Sequence, residues 1–294
     1  MHLYLGRVYY ALGAYPQAID LLRQNVVVLN GALLREFFSL PALPSVMSHG
    51  WLARCLAKLG AFTEGLAHGE EGLRIAEAVD HPNSLVQACY IIVHVYLYKG
   101  ELHQAIACLE RGLEVCRVWD FPLFYSIVSS YLGHAYILAG RVSDALPLLE
   151  QSFLLEGTDL MSGTVRVWLS EAYLRLGRLD EALALALRGL ESCRTQAQQG
   201  EQAWALRLLG EIHAHRQPPH VELAEAAYRE ALAEVLGMRP LQAHCHLGLG
   251  MLYATTGQRE QARTELSAAI DLYRALDMTF WLPQAQAALA QVGG

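Results

Sequence analysis

Apolar side chains recur three and four residues apart in stretch after stretch of this chain, and short polar turns separate the stretches. That period belongs to amphipathic helices. The clearest example is Leu132 to Ser152, LGHAYILAGRVSDALPLLEQS, which predicts two helices meeting at Gly140. Gly133 and Ala145 are small enough to let two backbones approach, Tyr136 and Leu149 fill the space between them, and Gly140 takes the turn that a Cβ would strain. One such hairpin leaves an apolar face uncovered, so it calls for neighbours of the same design.

The neighbours are visible as a repeat. Gly60, Gly100 and Gly140 are forty residues apart, Gly177 and Gly257 are eighty apart, and Gly13 precedes Gly60 by forty-seven. Seven residues before each turn stand Gly6, Ala53, Val93, Gly133, Ser170 and Gly250, and four before stand Tyr9, Leu56, Tyr96, Tyr136, Tyr173 and Tyr253. Five after come Ala18, Gly65, Ala105, Ala145, Ala182 and Ala262. Between Gly177 and Gly257 a further copy keeps Gly210, His213, Ala224, Tyr228 and Ala231 around a longer turn, HRQPPHVE. The pattern therefore predicts an all-α, right-handed solenoid of seven helical hairpins. Residues 1–280 form one superhelical repeat domain, and 281–294 form a capping helix and tail, with Trp281, Leu282, Ala285, Leu289 and Val292 able to cover the last hairpin. Loops are expected at Asp80 to Asn83, Asp120 to Pro122 and Thr158 to Gly163. The most linker-like segment is Thr195 to Gly200. The first helix begins without a cap or a polar capping repeat, as an interior repeat would if exposed by a cut or an internal start codon.

Composition changes the picture in three ways. A hydrophobic content of 53% fits helices buried on two sides. A net charge of −7 with no basic run argues against tracking a nucleic-acid backbone. The six cysteines include no C-x-x-C pair and fit buried free thiols in a reducing cytoplasm. No secretory signal is visible. Phe121 to Gly140 has the length of a membrane span and no charge, yet it holds Pro122, three serines and His134 and keeps the repeat register, so no membrane is expected.

The array L-G-x-x-Y-x-x-x-G-x-x-x-x-A-x-x-x-L-x-x-(S/A), at Leu132 to Ser152 and again at Leu249 to Ala269, resembles the tetratricopeptide repeat over essentially the whole chain. The period near forty exceeds the usual thirty-four of that family and looks like the long repeats at the C-terminal end of bacterial signal-transduction ATPases, including adenylate/guanylate cyclase-like proteins. The ending LYRALDMTFWLPQAQAALAQ, Leu272 to Gln291, is similar to the terminus of those proteins. The resemblance implies a non-catalytic protein-interaction or ligand-sensing module, the regulatory end of a larger ATPase or cyclase. The alternative is an independent scaffold holding an extended peptide. Partners are then a protein or peptide, a small-molecule effector, or an ATPase or cyclase domain in cis.

Motifs for catalysis and cofactors are missing: there is no phosphate-binding G-x-x-x-x-G-K-[ST], no G-x-S-x-G and no H-E-x-x-H. No enzyme, cofactor or metal site is expected. The H-x-H pairs at His213 and His244 point their members about 200° apart on a helix and cannot close on one ion. In the family that the chain resembles, the first helix of each hairpin lines an inner groove. The residue after the small slot would then be Arg7, Arg54, His94, His134, Glu171, Glu211 and Met251 in turn, running from basic through titratable to acidic. Tyr90 and Tyr98 share the face of His94 at four residues on either side, and Ser130 flanks His134. Arg54, Tyr90, His94, Tyr98, Ser130, His134, Glu171 and Glu211 are thus the candidate binding residues, since rings beside histidine suit a peptide or small organic ligand. The other reading open at this point is that they pack between hairpins. The Asn and Lys pattern that clamps a C-terminal carboxylate in some family members is absent, which disfavours chaperone tails.

Overall fold

The computed structural model describes residues 2–155, 162–233 and 237–293. All of the regular structure in them is helical, and the chain divides into two compact units, Met1–Ser152 and Phe153–Gly294. The first unit holds α1 (His2–Ala11) with α2 (Tyr15–Val28), α3 (Pro44–Leu59) with α4 (Phe62–Val79), α5 (Pro82–Lys99) with α6 (Leu102–Val118), and α7 (Pro122–Leu138) with α8 (Val142–Leu155), which ends just past the boundary. In the second are α9 (Ser162–Arg175) with α10 (Leu179–Thr195), α11 (Gln199–Ala214) with α12 (Val221–Ala233), α13 (Arg239–Thr255) with α14 (Arg259–Ala275), and α15 (Leu282–Gly293). These are the seven hairpins and the terminal helix that the repeat implies.

Each hairpin closes as its slots predict. Gly140 turns at φ 75°, where a side chain would be strained, and the other turn glycines of the repeat do likewise. The N–H of Arg141 bonds to the Tyr136 carbonyl and that of Gly140 to Ile137, satisfying the last carbonyls of α7. The same carbonyl, four residues before the glycine, accepts this bond at Tyr9, Leu56, Tyr96, Tyr173 and Tyr253. A Cβ on Gly133 would lie 2.7 Å from Cγ of Leu149, and Ala145 is fully buried opposite. Burying a leucine there contributes about 1.5–3 kcal/mol.

The joints between hairpins are tighter than the sequence suggests. Helices α5 and α7 start at Pro82 and Pro122 themselves, because proline's fixed φ and missing N–H suit the first helical position. Only 196–198 separate α10 from α11, so the expected linker at Thr195 to Gly200 is a closed turn: Gln198 N–H bonds to Cys193 O while Ala197 takes φ 54°. The same left-handed step recurs at Asp80, Asp120, Gly237 and Asp277. Of the break expected at Thr158 to Gly163, residues 158–161 lie outside the described residues, and Ser162 already opens α9. Between the first two hairpins the excess residues hold a 3-10 turn, Gly31–Arg35.

Within the first unit α3 packs on α1 and α5, and α5 on α7, so the first helices form a continuous layer behind which the second helices stand. Leu52, Ala53, Val86, Ile91, Ile92, Val93 and Val95 are buried between them, which accounts for the high apolar content. In the second unit α9, α11 and α13 pack in the same succession, and α15 covers α14 and α13 with Ala285 and Val292 buried. No described helix is long and apolar enough to cross a membrane.

Candidate functional site

The layer of first helices in the first unit carries a bed of rings and cations. Arg54 donates from Nε to the Tyr10 hydroxyl at 2.8 Å, and its guanidinium lies 4.6 Å from the centre of the Tyr10 ring and 4.9 Å from that of Trp51. Arg7 approaches the same indole from α1 at 5.0 Å. One turn beyond Arg54, the buried Lys58 ammonium sits 5.3 Å from the Tyr98 ring. Cation–π attraction of this kind is worth about 0.5–2 kcal/mol per contact and holds long side chains in one conformation.

His94 stands beneath this bed, 4% exposed. Its Nδ1 lies 3.1 Å from the Ile91 carbonyl, which can only accept, so Nδ1 carries the proton and Nε2 accepts from the Tyr131 hydroxyl at 2.8 Å. Burial, then the charges of Arg54 and Lys58, push its pKa well below the ordinary histidine value, so the ring is neutral. Tyr131 stacks on Tyr90, and Tyr98 meets His94 edge-on at 6.4 Å. Tyr90, Tyr98 and His134 remain half-buried, and His134 is close enough to lower the His94 pKa further. Arg54, Tyr90, His94 and Tyr98 are thus one cluster with His134 at its side, and the two open readings divide within it. His94 and Arg54 support the floor, whereas Tyr90, Tyr98 and His134 present ring surface. Ser130 is spent inside its own helix, donating to Ile127 O at 2.7 Å.

In the second unit Glu171 and Glu211 come together through two arginines. Arg175 lies 3.4 Å from Glu171 and 3.1 Å from Glu211. Arg207 lies 2.8 Å from Glu211 and 3.8 Å from Glu171, and its guanidinium is 5.5 Å from the Trp204 ring centre. Burial works against the Arg207 charge, and Glu211 and Glu171 overcome it, raising its pKa. The wall expected to be acidic is therefore balanced in charge. Beside it His244 is enclosed by Trp204, Tyr273 and Trp281, with rings at 5.6, 5.5 and 4.8 Å, and burial followed by the Arg207 charge lowers its pKa to about 3.

Residue-slot reasoning missed Trp51, Lys58, Arg175 and Arg207, although three or four residues on either side of Arg54, Glu171 and Glu211 would have found them. Tyr10 and Tyr131 come from neighbouring helices, and nothing in the local sequence marks them. Among the described residues no three His, Cys, Asp or Glu side chains converge as a metal ion would require. A separate pocket of about 350 Å³ lies where α4 ends beside α5 and α6, lined by Asp80, His81, Trp119 and the Glu77–Arg111 ion pair.

Tetratricopeptide repeat family models match residues 86–117, 131–197 and 243–268. No curated protein matches the chain in sequence. Among solved structures, the Rap conjugation gene regulator of the plasmid pLS20, in complex with the Phr* peptide, superposes with a TM-score of 0.70 at 14% identity, over 94% of this chain and 75% of that one. A Rap protein complexed with competence and sporulation factor gives 0.68 at 14% identity, over 99% and 75%. The Signal Transduction ATPase with Numerous Domains protein from Pyrococcus horikoshii, which has a tetratricopeptide repeat sensor, gives 0.51 at 15%, over 98% of this chain and 44% of that one.

Proposed function

Because the chain is a tetratricopeptide-repeat protein, we propose that it is a non-catalytic module that binds a protein or an extended peptide along the first-helix layer. In this reading 1–280 serve as the repeat domain, 281–294 cap it, and the protein works in the cytoplasm. The observation that carries it is the bed in the first unit: half-buried Tyr90, Tyr98 and His134 stand on side chains already fixed by hydrogen bonds and ring contacts. Rigid rings with little left to immobilise bind at low entropic cost. The two Rap structures support it by analogy, since one of those proteins was solved with a peptide and the other with a named factor.

Selection from a random peptide library on the full chain, followed by fluorescence anisotropy, tests this. Tyr98→Ala and His134→Ala should each weaken a selected peptide by about tenfold or more, roughly 1.4 kcal/mol, while the melting point stays close to that of the parent. Peptides that ignore both changes would place binding elsewhere.

A second reading has its own support. The archaeal relative carries its tetratricopeptide repeats as a sensor, and the ending Leu272 to Gln291 is similar to that of cyclase-like ATPases. The module would then report a bound peptide, protein or small-molecule effector to an ATPase or cyclase domain in cis. Sequencing the genomic region upstream of the Met1 codon tests it: an in-frame ATPase or cyclase motif supports it, and a stop codon there defeats it.

A further inference from the structure

One contact recurs across the hairpins, between residues 19 apart on the first and second helix. His49 of α3 meets His68 of α4 with their Nδ1 atoms 3.1 Å apart, and His246 of α13 meets Glu265 of α14 at 2.6 Å. Forty residues after the histidine pair, the same two places hold Cys89 of α5 and Cys108 of α6, and the Cys108 thiol donates to the Cys89 carbonyl at 3.6 Å. A cysteine side chain is short, so this contact needs close helices. A glycine one turn further along the second helix provides them: a Cβ on Gly72 would lie 3.3 Å from that of His49, and one on Gly112 would lie 3.4 Å from that of Cys89. A disulfide joins Cβ atoms about 3.5–4.5 Å apart, so α5 and α6 already run at the separation it spans.

The two thiols are not equivalent. Cys89 has no exposed surface, and its hydrogen bond to Cys108, followed by burial, holds its pKa well above the ordinary thiol value. Cys108 is half-buried, whereas the other five cysteines are buried. Its pKa is lowered, first by the hydrogen bond that the Cys89 thiol donates to the Cys108 thiolate and then by Arg111, one turn on along α6 and paired with Glu77. Burial and the Glu77 charge oppose this shift without cancelling it. The thiolate is the reactive form of cysteine, so the pair sets an accessible, reactive sulfur directly against a second one behind it.

From this geometry we infer that Cys89 and Cys108 form an oxidative modification site, at which a peroxide converts the two thiols to a disulfide that staples α5 to α6. The Cys108 thiolate attacks one peroxide oxygen and the O–O bond breaks. Cys108 becomes a sulfenic acid, and the other oxygen leaves as hydroxide and takes a proton from solvent. The Cys89 sulfur then attacks the Cys108 sulfur, the S–O bond breaks, and the departing hydroxide takes the Cys89 proton as water. In total two thiols lose two electrons and one hydrogen peroxide is reduced to two waters. A thiol reductant reverses the bond. Helix α5 also carries Tyr90, His94 and Tyr98, so the staple fixes the hairpin beneath the candidate peptide site, but the inference does not depend on peptide binding.

The test treats the reduced, folded full chain with hydrogen peroxide, blocks the remaining thiols with iodoacetamide in denaturant, and maps the peptides by mass spectrometry without reduction. A Cys89–Cys108 disulfide is expected in most molecules, reversed by dithiothreitol, with Cys55, Cys193 and Cys245 left as thiols. Cys108→Ser should leave no disulfide, and Cys89→Ser should stop at a Cys108 sulfenic acid that dimedone labels. Cys108 is half-buried, so its variant remains informative should Cys89→Ser unfold. Oxidation should also raise the melting temperature, because the bond restricts the unfolded chain. A bond from either residue to Cys116, sulfinic acid at Cys108 without a disulfide, or six unreacted thiols would overturn the inference. So would a Cys89–Cys108 bond that lowers the melting temperature, since the native helices would then have to move to close it.

Discussion

At the scale of single residues the fold depends on slots where nothing larger fits. Ala145 has no exposed surface and faces the helix that carries Gly133, whose added Cβ would meet Leu149. Ala145→Glu forces an unpaired charge into that contact and should cost about 3–5 kcal/mol, whereas Gln261→Glu on the exposed face of α14 should stay within about 0.5 kcal/mol. Urea unfolding of both variants checks this, and equal midpoints would contradict the register. These slots were legible because they recur at a fixed spacing and their chemistry is one of size. What the slot residues touch was not legible. Arg54 could be placed on the inner face by counting, and Trp51 lies three residues from it on the same helix, yet its bond to Tyr10 depends on how α1 and α3 cross.

Elements meet at joints and at buried polar groups, and both are sensitive to charge. His49 and His244 have pKa values lowered to about 4 and about 3, in each case chiefly by burial, with His68 next for the first and Arg207 for the second. Above pH 6.5 the folded and unfolded forms of either ring are both neutral and contribute nothing to pH dependence. As pH falls below that, the unfolded chain takes up a proton that the native state refuses, so stability falls, and the loss continues to about pH 4 for His49 and pH 3 for His244. Going from pH 7 to pH 5 should therefore cost about 2 kcal/mol per ring, and His244→Gln should remove one such share, measured by denaturant unfolding at both pH values. The charge network behaves differently. Arg207→Gln strips buried Glu171 and partly buried Glu211 of a partner and should cost about 3–5 kcal/mol, while adding Glu211→Gln should recover part of the loss in a double-mutant cycle. Helix number and order were readable from periodicity. The joints at Asp80 and Asp120 were placed by the sequence, but their left-handed backbone was not, because Asp80, Asp120, Ala197 and Asp277 adopt a conformation that sequence reasoning reserves for glycine, though the forty-residue steps from 80 to 120 and from 237 to 277 follow the repeat.

At the scale of the whole chain, net charge conceals its own distribution. The total is −7, yet four successive first helices of the first unit hold no carboxylate at all, because the acids stand on the second helices and in the turns. Composition alone argued against an anionic partner of the nucleic-acid kind, and it could not reveal a layer of helices without carboxylates. Periodicity reveals it once the first and second helices of each hairpin are counted separately. The candidate site was legible to the same depth: its residues on α3 and α5 could be named from the sequence, but not which of them form the floor and which the exposed surface.

The central claim is that the ring-bearing face of the first unit holds a peptide, and photocrosslinking tests it most directly. A peptide selected on the full chain would be irradiated with the protein carrying benzoylphenylalanine in place of Tyr98, or in place of the exposed Trp119 beyond α6. A crosslink from position 98 and none from position 119 is the predicted result. Capture from position 119 alone would contradict the account and move binding to the pocket beside the Glu77–Arg111 pair.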